Sequence, residues 1–248
     1  MKRRDYLGAE RMKINWVAPH FHPETGGVET HVTQVSNYLI ERGHKVTVHT
    51  SAVTVNKENL PATGELGEIK IKRYQPTFNR SFYMSRFKPE IYLGDIIVME
   101  GYPSLTNDYV VKKCYGRFPM VIFIQGVVLP LSGFNKRMKG FYDALIGVRT
   151  LNSADRLIAM TELEKNWCAE EGIETEKIEI IPNGIPKEAF KRYDGDAPKG
   201  KFGQDRYLLF IGRMYQEKAP SHLVHALTNL QNDFPRLGAI FVGPDQGE

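Results

Sequence analysis

Two adjacent glycines, Gly26 and Gly27, stand where a short apolar run gives way to a helical pattern, and this placement could hold an anion. The first turn of a helix presents unpaired N–H groups and a partial positive charge. Glycine has no Cβ, so a ligand can come close to the backbone there. The combination suits phosphate. The loop matches neither the P-loop nor the GxGxxG pattern, so a loop that only caps a helix is an equally good interpretation.

Two histidines near these glycines could begin a metal site. His20 and His22 flank Phe21, but no convincing third ligand follows nearby. Zinc sites in proteins use three or four protein ligands, so a polar wall beside the glycine loop is the better interpretation. We therefore predict no metal.

The elements that must position these residues alternate between strands and helices. The run "INWVAP" (14–19) is followed by apolar residues at helical spacing, then by Gly43 as a helix terminator and by "KVTVHT" as the next strand. This strand–helix–strand unit closes as a right-handed parallel crossover. Further strands are predicted in "EIKIKRY", "DIIVME", "MVIFIQG", "DRLIAM" and "KIEIIPNG". Helices are predicted near 103–115, over 136–152 and in "TELEKNWCAEEG". In the last of these helices, Thr161 and Glu164 have capping-box spacing.

This alternation predicts an α/β protein with a doubly wound, Rossmann-like parallel sheet. We expect one domain over 1–184, a linker rich in Pro, Gly and charge over 185–204, and a second strand–helix–strand unit over 205–248. A segment as short as the last one rarely folds alone, so it is interpreted as the start of a second domain in a truncated chain. The alternative is that it adds strands to the first sheet.

Composition limits the function classes. The net charge of +4 suits an acidic ligand or an anionic surface without requiring nucleic acid, which we do not expect as a partner. No apolar run approaches the ~20 residues that cross a bilayer, and the basic N-terminus lacks the apolar stretch of a signal peptide. Cys114 and Cys168 have no metal-site or disulfide spacing, which indicates reduced thiols and a cytoplasmic location.

Four blocks together resemble a known family. They are "PETGGVETHVTQVSNYLIERGHKVTVHT", "RLIAMTELEKNW", "IEIIPNGI" and "LLFIGRMYQEKAPSHLVHALTNLQNDFPRLGAIFVGPDQGE". They look like successive blocks, in the same order, of the retaining, nucleotide-sugar-dependent glycosyltransferases of the GT-B fold, the glycogen-synthase-like group of family 4 type. The resemblance covers nearly everything from Ile14 onward. It implies two doubly wound domains, the first holding most of the acceptor site and the second most of the donor site.

The resemblance also implies roles for particular residues. Arg213 and Lys218, in "GRMYQEK", match the basic pair that holds the donor diphosphate, and Gly26 and Gly27 would approach the same diphosphate. A nucleotide-diphosphate sugar is then the donor substrate, with no cofactor required. A glycan or lipid-linked molecule is the expected acceptor, and the product would belong to polysaccharide or glycolipid biosynthesis. Residues of the matched blocks that would line the cleft are Glu24, Thr161, Glu162 and Asn183.

Two departures from the family pattern stand out. The family commonly has His just after the strand "VIFI", near the reacting sugar, and this chain has Gln125, its candidate catalytic residue. Gln can donate a hydrogen bond but cannot titrate, so Gln125 either orients a substrate or is a plain loop residue. The E-x7-E element that contacts the donor would lie beyond Glu248. Weak donor binding and little or no activity are therefore expected of this chain alone.

Three further interpretations stay open. Asp194-Gly195-Asp196 has the DxD form of metal-dependent glycosyltransferases of the other major fold, but its place in the linker favours a turn. The stretches "KRYQPTFNRSFYMSRFKPE" and "FNKRMKGFYDALIG" could form a basic, aromatic surface that contacts the inner face of an anionic membrane, or an ordinary acceptor-loop wall. An inactive acceptor or glycan-binding module and a sugar-nucleotide epimerase are the alternatives to a hexosyl-type transferase.

Overall fold

The computed structural model describes residues 11–79, 85–91, 93–125, 133–185, 187–191, 206–214 and 218–243. The chain divides into two compact units, Met1–Pro186 and Lys187–Glu248. Most of the predicted linker, with Asp194-Gly195-Asp196, lies outside the described residues.

The first unit is built on one large sheet with helices between its strands. Its strands are β1 (Lys13–Val17), β2 (Lys45–Ser51), β3 (Thr63–Leu66), β4 (Ile69–Tyr74), β7 (Ile96–Glu100), β8 (Met120–Phe123), β9 (Arg156–Ala159) and β10 (Ile178–Ile180), with β5 (Phe78–Asn79) and β6 (Ser85–Arg86) forming a separate short pair. Its α-helices are α1 (Gly27–Ile40), α2 (Leu105–Cys114), α3 (Gly133–Tyr142), α4 (Val148–Asn152) and α5 (Glu162–Glu170).

The strand order in the large sheet is β10-β9-β8-β7-β1-β2-β4-β3. All neighbouring strands are parallel except β3, which pairs antiparallel with β4 at the edge. The predicted fold class, a doubly wound, Rossmann-like parallel sheet, is confirmed. The sequence analysis missed β3, because "TGEL" has neither an apolar run nor a clear alternation and its pairing depends on the turn that follows.

The core lies on both faces of this sheet, as the continuous apolar runs predicted. One cluster gathers Ile14, Trp16 and Val98 against α1, and the other gathers Ile97 and Met99 against α2, α4 and α5. Alternate residues of one strand therefore enter different cores, and both faces are covered by helices.

The predicted boundaries of α1 are also confirmed. The helix begins at Gly27, and beyond its last residue Gly43 adopts a φ of 87°, the left-handed conformation that glycine adopts without strain. The predicted helix over 136–152 begins earlier, at Gly133, and a π-helical segment, Asp143–Gly147, separates α3 from α4.

The second unit contains β11 (Arg206–Ile211), α6 (Pro220–Leu230) and β12 (Leu237–Val242). Because β11 and β12 pair in parallel in a sheet of their own, the alternative that they extend the first sheet is wrong. Gly243 follows β12 with a φ of 150°, and an added Cβ there would collide with the carbonyl oxygen of Gly212. The glycine therefore allows the two strand ends to approach closely.

The sequence predicted that the two cysteines are reduced and that no segment spans a membrane, and both predictions can be compared with the described residues. Cys114 and Cys168 are free thiols buried in the core. Within the described part of the chain, no helix combines the length and apolar character that a membrane span requires.

Candidate functional site

The sheet of the first unit has a topological switch point between β1 and β7. From β1 the chain moves outward through β2 to β4, and it later returns to the opposite side of β1 as β7. In open α/β sheets, ligands bind outside the carboxyl ends of the strands at such a point. The glycine loop follows β1 and Glu100 is the last residue of β7, so both lie at this edge.

Glu100 is the centre of a buried polar cluster there. Its side chain is fully buried, and Trp16 Nε1 donates to Glu100 Oε1 at 2.9 Å while Gln125 Nε2 donates to Glu100 Oε2 at 2.9 Å. His31 Nε2 lies 3.7 Å from Glu100 Oε1. The main-chain carbonyl of Glu100 accepts a hydrogen bond from Asn107 Nδ2 at 3.2 Å. Residues from β1, α1, β7 and the end of β8 thus meet at one carboxyl group.

Aromatic rings enclose this carboxyl group. Trp16 stacks on Phe123 with ring centroids 6.0 Å apart, and His31 packs edge-on against both rings. Burial in these surroundings raises the pKa of Glu100 well above its usual range, while the Trp16 hydrogen bond opposes the rise and the nearby Glu29 charge adds to it. Burial also lowers the pKa of His31. The cluster therefore disfavours the charged form of each group.

Gln125, the predicted catalytic residue, lies at the open side of this cluster. It is partly exposed, and its backbone φ of 21° falls in the left-handed region, which is uncommon for a residue with a side chain. Such backbone conformations persist where surrounding contacts hold them and are frequent at functional sites. Gln125 is therefore held by a defined hydrogen bond to Glu100.

The glycine loop forms the N-terminus of α1. Gly26 is the N-cap residue, in extended conformation and without a side-chain capping bond. An added Cβ at Gly27 would meet no described atom within 4 Å, whereas one at Gly26 would meet the carboxylate of Glu29. The loop therefore has open space beside Gly27. An anion approaching Gly26 would meet the Glu29 carboxylate first, and like charges repel each other.

Glu24, predicted to line the cleft, fastens this loop to the rest of the unit. Its carboxylate lies 2.8 Å from His20 Nδ1 and accepts from the Val55 backbone N–H at 2.6 Å. Arg73 supports the same loop by donating to the His22 carbonyl at 2.7 Å. The polar wall predicted around His20 and His22 is therefore a set of contacts that fixes the loop's path.

Three other predicted cleft residues follow β9 and β10. Thr161 caps α5, since its Oγ1 accepts from the Glu164 backbone N–H at 3.3 Å, and the adjoining Glu162 is exposed. The Glu164 side chain accepts in turn from the N–H of Met160, the residue before the N-cap, at 2.7 Å, so the predicted pair Thr161 and Glu164 stabilises the start of the helix. Asn183 follows β10, and its Oδ1 is buried without a hydrogen-bond partner among the described residues.

Arg213 and Lys218 lie in the second unit, between the carboxyl end of β11 and the start of α6. Arg213 and Lys218 are both exposed, and the helix N-cap Ala219 makes no side-chain capping bond. The loop therefore offers two cations and a helix N-terminus at a strand's carboxyl end, a combination that suits an anionic ligand.

A second buried histidine lies near the same edge. His49, in β2, contacts Tyr74 Oη through Nδ1 at 2.9 Å and Asn15 Oδ1 through Nε2 at 3.0 Å. Asn15 Nδ2 donates to the Leu93 carbonyl at 2.9 Å, which turns Asn15 Oδ1 toward His49. The Asn15 oxygen favours a proton on Nε2, and burial, which lowers the pKa of His49 to about 4, favours a neutral ring near pH 7.

Glu100, Trp16 and His31 were not predicted from the sequence as site residues. The sequence pattern placed Trp16 in an apolar strand and His31 on the apolar face of a helix, and the structure shows both residues buried there. The signal for Glu100 was its type and place, a carboxylate at the carboxyl end of the apolar run "DIIVME". A charged residue that ends a buried parallel strand points toward the ligand edge of the sheet.

Comparison with known proteins gives a family match. The model of Glycosyltransferase Family 4 matches residues 25–189, more than half of the chain. The matched range includes the glycine loop, Glu100, Gln125 and Asn183.

Curated relatives are longer than this chain. It is 25% identical over 246 residues to an uncharacterized glycosyltransferase of Methanocaldococcus jannaschii, and the match covers 90% of this chain and 61% of that protein. It is 27% identical over 251 residues to the phosphatidyl-myo-inositol mannosyltransferase of Mycolicibacterium smegmatis, with 94% and 59% covered. The chain thus spans about three-fifths of the length of these relatives.

Solved structures share the fold. The Anabaena protein HepE in complex with UDP-glucose superposes with a TM-score of 0.61 at 16% identity, covering 95% of this chain and 61% of that one. The catalytic domain of starch synthase IV from Arabidopsis thaliana, bound to ADP and acarbose, superposes with a TM-score of 0.62 at 10% identity, covering 96% and 69%.

Proposed function

This chain belongs to Glycosyltransferase Family 4, and from that premise we propose that the protein transfers a hexosyl group from a nucleotide-diphosphate sugar to a glycan or lipid-linked acceptor, with retention of the anomeric configuration. Arg213 and Lys218 bind the donor diphosphate. Gln125 contacts a substrate at the carboxyl edge of the first sheet, and the Gly26-Gly27 loop leaves room for a ligand there.

One observation carries the proposal. The family match covers the switch point of the sheet, and at that point the chain builds a buried polar cluster that opens to one side through Gln125. Two kinds of comparison support the substrates. HepE is described with UDP-glucose, and the relative from Mycolicibacterium smegmatis is named for mannosyl transfer to phosphatidyl-myo-inositol.

The proposed reaction depends little on acid–base side chains. In a same-face substitution, the bond from the sugar carbon to the diphosphate breaks while the acceptor oxygen forms its bond on the same face. The departing diphosphate takes the acceptor's proton, and the sugar passes through an oxocarbenium-like state. The protein must hold both substrates and stabilise the charge that develops on the leaving phosphate. Arg213 and Lys218 supply that positive charge.

The test is calorimetric titration of the 248-residue protein with UDP, GDP and ADP. We expect weak binding of at least one nucleotide, and we expect Arg213→Ala and Lys218→Ala each to weaken it by about 10- to 100-fold. That range corresponds to roughly 1.5–3 kcal/mol for a hydrogen bond to a charged group.

Arg206→Ala is the matched control, because Arg206 is an exposed arginine at the opposite end of β11 from Arg213. It should leave nucleotide affinity unchanged. Absence of nucleotide binding, or a nucleotide affinity that neither Arg213→Ala nor Lys218→Ala changes, would contradict the proposal and favour a glycan-binding module.

We also propose that the helical segment 133–152 contacts an anionic membrane. It carries exposed apolar side chains at Phe141 (71% exposed), Leu145 and Ile146, with exposed Arg137 and Arg149 near its ends. An apolar face with adjoining basic residues suits the interface of an anionic bilayer. Part of the other stretch predicted for this surface, residues 80–84, lies outside the described residues, and its Arg73 and Phe87 are buried.

Vesicle sedimentation tests this contact. The protein should bind phosphatidylglycerol vesicles more tightly than phosphatidylcholine vesicles, and a Phe141→Ser, Leu145→Ser double variant should weaken the binding severalfold because it removes apolar area. Leu163→Ser is the control, since Leu163 is similarly exposed on α5. Equal binding to both lipids, or equal loss in the control, would refute the contact.

A further inference from the structure

The Gln125 side chain has two chemically opposite ends. Its NH2 group donates hydrogen bonds and its carbonyl oxygen accepts them. A half-exposed glutamine that touched only water could present either end to a substrate. Which end faces the substrate decides which substrate groups Gln125 can recognise.

Glu100 removes this freedom. A carboxylate is an acceptor only, so the amide end that faces it must be the NH2 group. Gln125 Nε2 donates to Glu100 Oε2 at 2.9 Å, and Trp16 Nε1, which can only donate, occupies Oε1 at 2.9 Å. Accepting from both donors favours the ionised carboxyl group, and this opposes the rise that burial causes in the pKa of Glu100.

The carboxyl group itself cannot turn away. It is fully buried, the Trp16 ring packs against both Phe123 and His31, and the Asn107 amide fixes the Glu100 main chain through the carbonyls of Glu100 and Gly101. The nearest titratable neighbour given by the structure, His31 Nε2, is at 3.7 Å, too far to replace either donor. The left-handed backbone at Gln125 directs the side chain from the strand end toward this fixed acceptor.

We propose that Glu100 is a positioning residue that fixes the Gln125 amide with its carbonyl oxygen free, so that Gln125 accepts a hydrogen bond from a hydroxyl group of the bound sugar or acceptor. This inference rests on the proposed function for the identity of the ligand, and on the hydrogen-bond geometry alone for the orientation. It assigns Gln125 the recognition of a donating group. A substrate analogue with fluorine or a methyl ether in place of that hydroxyl group should therefore lose the contact.

The orientation is tested first, without any substrate. In nitrogen–proton correlation spectra of the 248-residue protein, the Gln125 side-chain amide pair is assigned by its disappearance in Gln125→Met. In Glu100→Gln this pair should shift, while the side-chain pairs of Gln34 and Gln231 stay in place. An unchanged Gln125 pair would overturn the proposal. If Glu100→Gln does not fold, Glu100→Asp, which keeps the charge but shortens its reach, provides the same comparison.

The functional consequence is tested by a double-mutant cycle on kcat/KM for sugar transfer. Glu100→Gln should lower kcat/KM about 10- to 100-fold in the parent protein and leave it nearly unchanged in the Gln125→Met background, because the effect passes through Gln125. Effects that multiply would show a general structural role for Glu100 and would overturn the proposal. If the parent protein transfers no sugar, as is expected of this chain alone, the same cycle is measured on its affinity for UDP-glucose. Absence of any nucleotide binding would contradict the proposed function, while the spectra still decide the orientation.

Discussion

Replacing Trp16 with alanine is expected to lower the free energy of unfolding of the first unit by about 3–5 kcal/mol. Trp16 is 1% exposed and packs against both Phe123 and His31. The substitution removes most of a large buried ring and leaves a cavity that the sheet cannot close, since parallel strands flank β1 on both sides. It also removes one of the two N–H donors to the buried Glu100 carboxyl group.

Trp16→Phe separates these two contributions. Phenylalanine retains much of the apolar ring but cannot donate, so we expect a smaller loss, about 1–3 kcal/mol, from the unpaired Glu100 oxygen. Urea unfolding, followed by far-ultraviolet circular dichroism and by the fluorescence of Trp167 in the first unit, measures the free energy of unfolding of both variants. Equal losses for Ala and Phe, or a loss below about 1 kcal/mol for Ala, would show that packing around Trp16 is not what stabilises this edge.

The sequence predicted the fold well because its signals were local. Apolar runs of strand length, the helical spacing after Gly27 and the terminating Gly43 each depend on a few neighbouring residues. The antiparallel strand β3 was missed because "TGEL" carries no local pattern, and contacts distant in sequence hold it, including those of Arg73, which reaches from β4 to the carbonyls of Pro61 and Thr63. The π-helical segment was also missed, since no residue type marks such a segment in the sequence.

The candidate site was predicted in part, and the gap has a physical cause. Two parts of the site were predicted from the sequence: the Gly26-Gly27 loop, from its place at the start of a helix, and Gln125, from its position after the strand "VIFI". The carboxyl group that joins them, Glu100, is 25 residues from Gln125 and 84 from Trp16 along the chain. These residues become neighbours only because β7 inserts between β1 and β8. A periodicity along the chain carries no information about that order.

The buried His49 is expected to make the first unit less stable as the pH falls below about 6.5. Burial, together with the nearby positive charge of Lys72, lowers the pKa of His49 in the folded protein to about 4. In the unfolded chain a histidine titrates near 6.5. Between these two values the unfolded chain binds the proton and the folded protein does not, so acid favours unfolding.

The hydrogen bonds explain why the folded protein resists this proton. The chain of bonds from Leu93 through Asn15 requires the Nε2 proton and leaves Nδ1 as the acceptor for Tyr74. Protonation of Nδ1 would place a charge in these buried surroundings and beside Lys72, its partner in the parallel register of β2 and β4, and the Tyr74 hydroxyl group would have to turn from donor to acceptor. A difference of this size corresponds to about 3 kcal/mol, lost progressively from pH 6.5 to pH 4 and not further below it.

Urea unfolding at pH 7, 6 and 5, followed by the fluorescence of Trp16 and Trp167, measures this loss. His49→Gln should be less stable than the parent protein at pH 7 because it loses the fitted imidazole, yet its stability should change less with pH. His31, whose pKa burial also lowers, remains in both proteins, so the difference between them isolates His49. His22→Asn, at an exposed histidine, should keep the parent's pH dependence. An identical pH dependence in His49→Gln would mean that His49 accepts a proton as readily in the folded sheet as in the unfolded chain.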